Sequence, residues 1–426
     1  MTPATVPQPR PERSLPSWPA LSCALALAAP AAAQEGGPPV VSPPPPQETP
    51  AARTGPDAAL AAAYPRLSLD IDMNLYAIGT PAASARNREG VSGFLFGHLN
   101  PGLHLTPEVS VRAFIHPDPA GGFEPNGAVT FLRRQNAILE QLFLEWRPTA
   151  ALHRYAGKFN APFGYGHDFF PGLLAAFRAH DAYLIREQLG AGAGWALPLP
   201  EGWGGHTLSA AVFTLDTSVL SNSLITRQRC CDPGFDRYRR TTLREGGAGN
   251  TGRLDNAALS LGGEAVAALP GLAYDLGLLT RGAGKGGTRR EWAWAAGLRY
   301  RHAWTDAIGT LLFGEFVEFR NAGGTPLETT EAGGEAVLRE RRRFSTLGTQ
   351  TTSGPWRATL AWQRDAAKRS VSTLPTQNWL EVSAGRDLAW GLGLDIGYQY
   401  AHFARDSRSL GQAHSIVARL NLRFSH

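Results

Sequence analysis

The chain is short of charge, of sulfur and of long apolar runs. Charged residues make up 18% of its 426 positions, below the roughly 25% usual in soluble domains. A large protein needs much charge only where most of its surface meets water. The three cysteines are Cys23, inside an apolar leader, and the adjacent pair Cys230-Cys231, so no disulfide framework can be drawn. Beyond residue 34 no stretch approaches the roughly 18–20 contiguous apolar residues of a membrane helix. Enzyme signatures are missing as well. There is no HExxH and no GxSxG, and RGAGKGGT (281–288) fails as a phosphate loop because Leu279 and Gly286 occupy its first Gly and its Ser/Thr positions. The histidines are scattered without metal-ligand spacing. No catalytic residue, metal, cofactor or nucleic-acid partner is expected.

What is present begins with an export signal. Arg10 and Arg13 precede the apolar run ALSCALALAAP, and the small residues Ala31-Ala32-Ala33 follow. Cys23 has no lipobox around it, so a lipoprotein anchor is not expected. Loss of residues 1–33 removes Arg10, Glu12 and Arg13 and takes the net charge from +5 to +4. Residues 34–64 are Pro- and Ala-rich and read as a periplasmic linker or tail. An exported chain without a helical span is secreted, periplasmic or a β-barrel, because helices and closed barrels alone satisfy their backbone groups in lipid.

From residue 65 to 426 a period of two dominates. RLSLDIDMNLY sets Leu67, Leu69, Ile71, Met73 and Leu75 against Ser68, Asp70, Asp72, Asn74 and Tyr76. The terminal HSIVARLNLRFSH sets Ile416, Ala418, Leu420, Leu422 and Phe424 against Val417, Arg419, Asn421 and Arg423. About sixteen such runs can be counted, near 66–78, 92–105, 107–117, 138–148, 151–161, 189–199, 206–216, 256–268, 271–280, 290–303, 308–321, 342–351, 355–365, 377–387, 390–403 and 414–424. Their length, near ten residues, suits a tilted membrane crossing better than the soluble mean of about 5–6.

The connections sort by parity. Those after even-numbered runs are short, as in RPTA, LPG, TDAI and SGP, whereas those after odd-numbered runs are mostly long, as in 118–137, 162–188 and 217–255. Short turns on one side and long loops on the other predict a closed antiparallel transmembrane β-barrel of about sixteen strands, with turns in the periplasm and loops outside. Closure pairs the last run with the first, so neither is an orphan edge. Trp146, Trp203, Trp304, Trp356 and Trp390 lie at or beside the short turns and fit an interfacial girdle. Ordinary core tryptophans of a sandwich are the alternative.

The signal, the alternation and the near-terminal aromatic Phe424 resemble Gram-negative outer-membrane porins, although Ser425 and His426 follow that aromatic here. LEWRPTAALHRYAGKFNAPFG (144–164) resembles a hairpin of the large porin family that includes phosphate-selective and carbohydrate porins, in which such a stretch leads into a long loop. The resemblance implies a water-filled channel in the bacterial outer membrane for passive diffusion of small hydrophilic or anionic solutes. It also implies partners in outer-membrane lipid and the outer-membrane assembly machinery, and a homotrimer. In general porins the loop at this position folds inward, so 162–188 becomes the candidate constriction, with Asp168, Arg178, His180, Asp181 and Arg186 as the charges that would set selectivity. An ordinary extracellular loop is the alternative.

A midplane Arg facing lipid costs roughly 2–4 kcal/mol, so the charges of the runs are expected to line the lumen. They are Arg154, Lys158, Arg299, Arg301, Arg357, Arg419 and Arg423, against Asp70, Asp72, Glu381 and Asp395. The excess of bases predicts mild anion selectivity. Cys230 and Cys231 lie in the longest loop, where a strained vicinal disulfide would stiffen it. A non-conducting adhesin or structural barrel, and a barrel hydrolase using His167-Asp168 or His180-Asp181, are the other readings.

Overall fold

The computed structural model describes residues 64–119, 122–200, 202–226, 240–325, 327–329, 335–370, 374–405 and 409–425. The leader and most of the Pro-rich tail lie outside these residues, as do Cys230 and Cys231. Among the described residues sixteen long strands form one closed antiparallel sheet. They are β1 (Arg66–Ala83), β2 (Gly90–His104), β3 (Val109–Pro119), β4 (Gln135–Thr149), β5 (Leu152–Phe159), β6 (Gln188–Ala196), β7 (Gly205–Leu215) and β8 (Asn256–Val266). They continue with β9 (Leu269–Arg281), β10 (Glu291–Ala303), β11 (Ile308–Arg320), β12 (Glu340–Ser353), β13 (Trp356–Arg369), β14 (Gln377–Asp387), β15 (Leu392–Ala404) and β16 (Leu410–Ser425).

Each predicted run is a strand, and the parity of the connections holds. The links 150–151, 267–268 and 354–355 are two-residue turns, whereas 160–187 and 216–255 are long. Strand ends on the long-loop side differ most: β1 runs to Ala83, five residues past the predicted run of 66–78.

The barrel closes at a seam between β1 and β16, in register from Asp70–Ser425 to Gly79–Ile416. Its polar side is sewn by side chains. Asn421 Nδ2 donates to Asp72 Oδ1 at 2.8 Å and to Asn74 Oδ1 at 3.0 Å, and Arg423 Nε donates to Asp72 Oδ2 at 3.2 Å.

Alternation decides which face each residue takes, and the faces are inverted relative to a soluble sandwich. Leu278, Leu298, Leu312, Leu360, Val382 and Ile396 are exposed on the outside, although a sandwich would bury them. All five turn tryptophans are exposed too, Trp390 to 90%. That fits rings placed at a membrane boundary and not a core. Gly157, in the GKFN stretch, has φ +136°, and a Cβ there would meet the Leu142 carbonyl oxygen at 2.5 Å. Only glycine lets β4 and β5 approach so closely.

A candidate constriction inside the barrel

The 160–187 connection turns into the lumen and carries two short helices, α1 (Gly166–Phe169) and α2 (Ala175–Tyr183). Neither begins with a Ser, Thr, Asp or Asn cap, so their leading N–H groups need partners from elsewhere. The wall supplies them. Glu315 on β11 accepts from Tyr165 N and Gly166 N, each at 2.9 Å. Glu381 on β14 accepts from Leu173 N at 2.5 Å and Leu174 N at 2.7 Å. Two carboxylates therefore cap two helices across the lumen, where the helix dipole also favours negative charge.

Further contacts spread the attachment around the wall. Tyr76 on β1 donates to the Leu173 carbonyl at 3.1 Å, and Gln363 on β13 to the Ala175 carbonyl at 2.8 Å. Arg419 on β16 donates to the Gly172 carbonyl at 3.3 Å. Gly172 has φ +116°, and a Cβ there would press on Glu381. The Tyr183 hydroxyl donates a hydrogen bond to Glu315. Burial, first, and that carboxylate, second, push the Tyr183 phenol well above its ordinary value, so it stays a donor.

Apolar packing does the rest. Phe177 of α2 lies 4.2 Å from Phe96, 4.3 Å from Phe123 and 5.7 Å from Phe94 between ring centroids. Phe163 and Tyr183 join a buried cluster with Phe159, Phe213, Val317, Phe319 and Phe344. Burying an aromatic side chain contributes about 1.5–3 kcal/mol, so the segment is a packed part of the barrel interior.

The predicted constriction charges divide into two sets. Asp168, Asp181 and Arg186 keep open surface, with Asp168 54% exposed at its side chain. Arg178 and His180 are buried. Arg178 donates to Gln399 Oε1 at 2.6 Å, lies 3.0 Å from Glu124 Oε1 and stacks over Phe123 and Trp379. Arg178 therefore holds the loop, and His180 packs with its ring on His116. His167 is buried with its Nδ1 3.2 Å from Asp168. Burial opposes its charge, but the Asp168 carboxylate, with Glu315 behind it, outweighs burial and raises the imidazole pKa to about 9. No ring nitrogen of His167 or His180 hydrogen-bonds a hydroxyl, so neither His-Asp pair is arranged to activate a nucleophile among the described residues.

The predicted lining needs corrections of the same kind. Arg154 is on the outer face, paired across the sheet with exposed Trp146 and with its guanidinium 5.1 Å from that ring. The face of β5 turned inward carries Tyr155 and Phe159, because the lumen here holds loop aromatics and not water. Lys158 is also not lining. It is fully buried, 2.8 Å from Glu187 and 3.1 Å from Asp216, and donates to the Leu220 carbonyl. Arg357 and Arg419 do turn inward, but both grip Asp395, at 2.7 Å and 2.9 Å, and Arg357 also meets Asp387. Arg423 is paired with Asp72. Asp70 stands opposite Asn100 and Ser425 on the inward face of β1. Arg299 lies over the rings of Tyr165 and Phe169 on the loop, at 5.2 and 4.7 Å. Arg301 follows on the same face, exposed toward the short-turn end. Sequence reasoning missed Glu315 altogether, and it took Glu381 for lining; the signal in both cases was a carboxylate amid apolar neighbours.

By sequence, the chain matches no protein-family model and no curated protein. Its fold is similar to solved outer-membrane barrels. The outer membrane channel DcaP of Acinetobacter baumannii aligns with a TM-score of 0.53 at 10% identity, over 84% of this chain and 96% of that one. OprB of Pseudomonas putida aligns with a TM-score of 0.56 at 12% identity, over 84% and 94%.

Proposed function

We propose that this protein is a bacterial outer-membrane porin, a water-filled channel through which small hydrophilic solutes diffuse passively. The observation that carries the reading is the 160–187 segment, capped by Glu315 and Glu381 across the lumen. A barrel of sixteen strands is wide enough for an aqueous channel, and a segment fixed across it narrows that channel to a selective passage. The fold shared with DcaP, an outer membrane channel, and with OprB supports the same reading, as does the export signal expected from the sequence of residues 1–33. A phosphate-selective or carbohydrate subfamily rests on the 144–164 resemblance alone. Partners under this reading are outer-membrane lipid, the assembly machinery and a homotrimer.

The ion preference proposed is for anions, and weak. With Arg357, Arg419 and Arg423 matched to carboxylates, Arg299 and Arg301 are left to act on permeating ions over about one Debye length, roughly 8 Å at physiological salt. Planar-bilayer recording with purified protein tests both parts. Discrete conductance steps and a reversal potential on the anion side are expected. A protein silent at every voltage would favour a non-conducting barrel.

A further inference from the structure

Three neighbouring strands each turn one metal-binding side chain to the same point of the inner wall. His98 on β2, His116 on β3 and Glu140 on β4 offer donor atoms within 4.8 Å of one another. His116 and Glu140 are almost wholly buried and His98 is partly so. The tautomer of His116 follows from its neighbour. Its Nδ1 lies 2.7 Å from the Gly97 carbonyl oxygen, which only accepts, so Nδ1 carries the proton and Nε2 keeps a lone pair. That Nε2 has no hydrogen-bond partner. An imidazole held by a backbone carbonyl at one nitrogen and free at the other is the arrangement ligating histidines take.

Glu140 shows the same pattern. One carboxylate oxygen accepts from Asn160, and the other, Oε2, has no hydrogen-bond partner. It lies 3.6 Å from His116 Nδ1, the protonated nitrogen, so an ion on Nε2 would require the carboxylate to turn toward it. His180 of α2 stacks on His116 with ring centroids 5.2 Å apart, and neither of its nitrogens is bonded. A buried carboxylate oxygen and several buried imidazole nitrogens without hydrogen-bond partners are costly unless something cationic joins them.

We propose that His98, His116 and Glu140 form a binding site for one first-row divalent metal ion, built into the barrel wall behind the constriction. Two imidazoles and a carboxylate without thiolate suit Zn²⁺ and its neighbours, whereas Ca²⁺ and Mg²⁺ want oxygen ligands. Donors on a tetrahedral centre with bonds of about 2.0–2.1 Å stand about 3.4 Å apart, so the ion would draw the three side chains inward. His180 also borders a polar cavity of about 300 Å³ lined by Asp118, Asp181 and Arg186. Carboxylates there give a cation a route of entry. Because His180 covers the site from the loop side, an ion in it would stiffen the contact between α2 and the wall. The site does not depend on whether the barrel conducts.

Folded protein in detergent, stripped with chelator and dialysed, is titrated with ZnCl₂ by calorimetry, and bound zinc is counted by elemental analysis. One ion per chain is expected. His98→Asn, His116→Asn and Glu140→Gln should each weaken binding at least tenfold, and His302→Asn, at an exposed position on β10, should not. Folding of every variant is checked by heat-modifiable migration. His98→Asn alters the least buried of the three and keeps the test open if the others fail to fold. No heat and no retained zinc at 100 µM would overturn the proposal and leave a proton as the only cation in the cluster. Binding unchanged in folded His98→Asn would overturn it equally.

Discussion

Glu315 lies 150 residues from Tyr165 in sequence and 2.9 Å from its backbone nitrogen. With Glu381 it holds the 160–187 segment across the barrel, and hydrogen bonds to a charged acceptor contribute about 1.5–3 kcal/mol each. Changing both Glu315 and Glu381 to Ala removes five of them from the segment, the one from the Tyr183 hydroxyl included. The double variant is expected to show larger and noisier single-channel currents than the parent. Unchanged currents would mean that the segment does not limit flow.

The Asp395 carboxylate serves two arginines. Removing one partner of a buried ion pair costs about 3–5 kcal/mol, and here it takes the carboxylate from Arg419 and leaves Arg357 with Asp387 alone. Asp395→Asn should lower the temperature of heat modification and move the reversal potential further toward anions. A lower temperature with an unmoved reversal potential would place Arg357 and Arg419 outside the reach of permeating ions.

Arg154 and the Arg299–Arg301 pair separate outer face from lumen. Arg154→Ser is expected to leave ion preference where it was, since that side chain stacks on Trp146 outside. Arg299→Ser with Arg301→Ser should shift preference toward cations, and the shift should shrink as salt rises. A large effect of Arg154→Ser would contradict the register of β4 and β5.

His167 supplies a pH dependence with a definite sign. Its folded pKa is raised to about 9, against about 6.5 for a free imidazole. The stabilising contact with Asp168 is therefore fully present below about pH 6.5 and is lost as pH rises through about 9. Open-channel noise should increase between pH 8 and 10, and His167→Gln should be noisy throughout. The same pH profile in His167→Gln would assign the effect to another group.

The strands were legible because each alternates over about ten residues and the connections keep parity. Even β3, whose VSVRAFIHPDP alternates poorly, is a full wall strand. The lining was less legible. Equating the polar face with the lumen works for Asp72, Arg357, Arg419 and Arg423 and fails at β5, where loop aromatics replace water and draw Tyr155 and Phe159 inward. The inward course of 160–187 was visible only through the porin resemblance, because its anchors, Glu315 and Glu381, lie in distant strands. His98, His116 and Glu140 escaped for the same reason: their spacings match no local motif, and three strands had to be laid side by side before they met.

The seam has a kinetic meaning. Asp72 and Arg423 are 351 positions apart, so the contact that ends the cylinder is also among the last the chain can make. Entropy of ring closure grows only with the logarithm of length, and the thermodynamic burden of so distant a meeting is modest. The burden falls on time instead. Until β16 finds β1, the nascent sheet carries two unsatisfied margins, and any copy shortened by its final strand would keep them permanently, as a template for pairing with other chains.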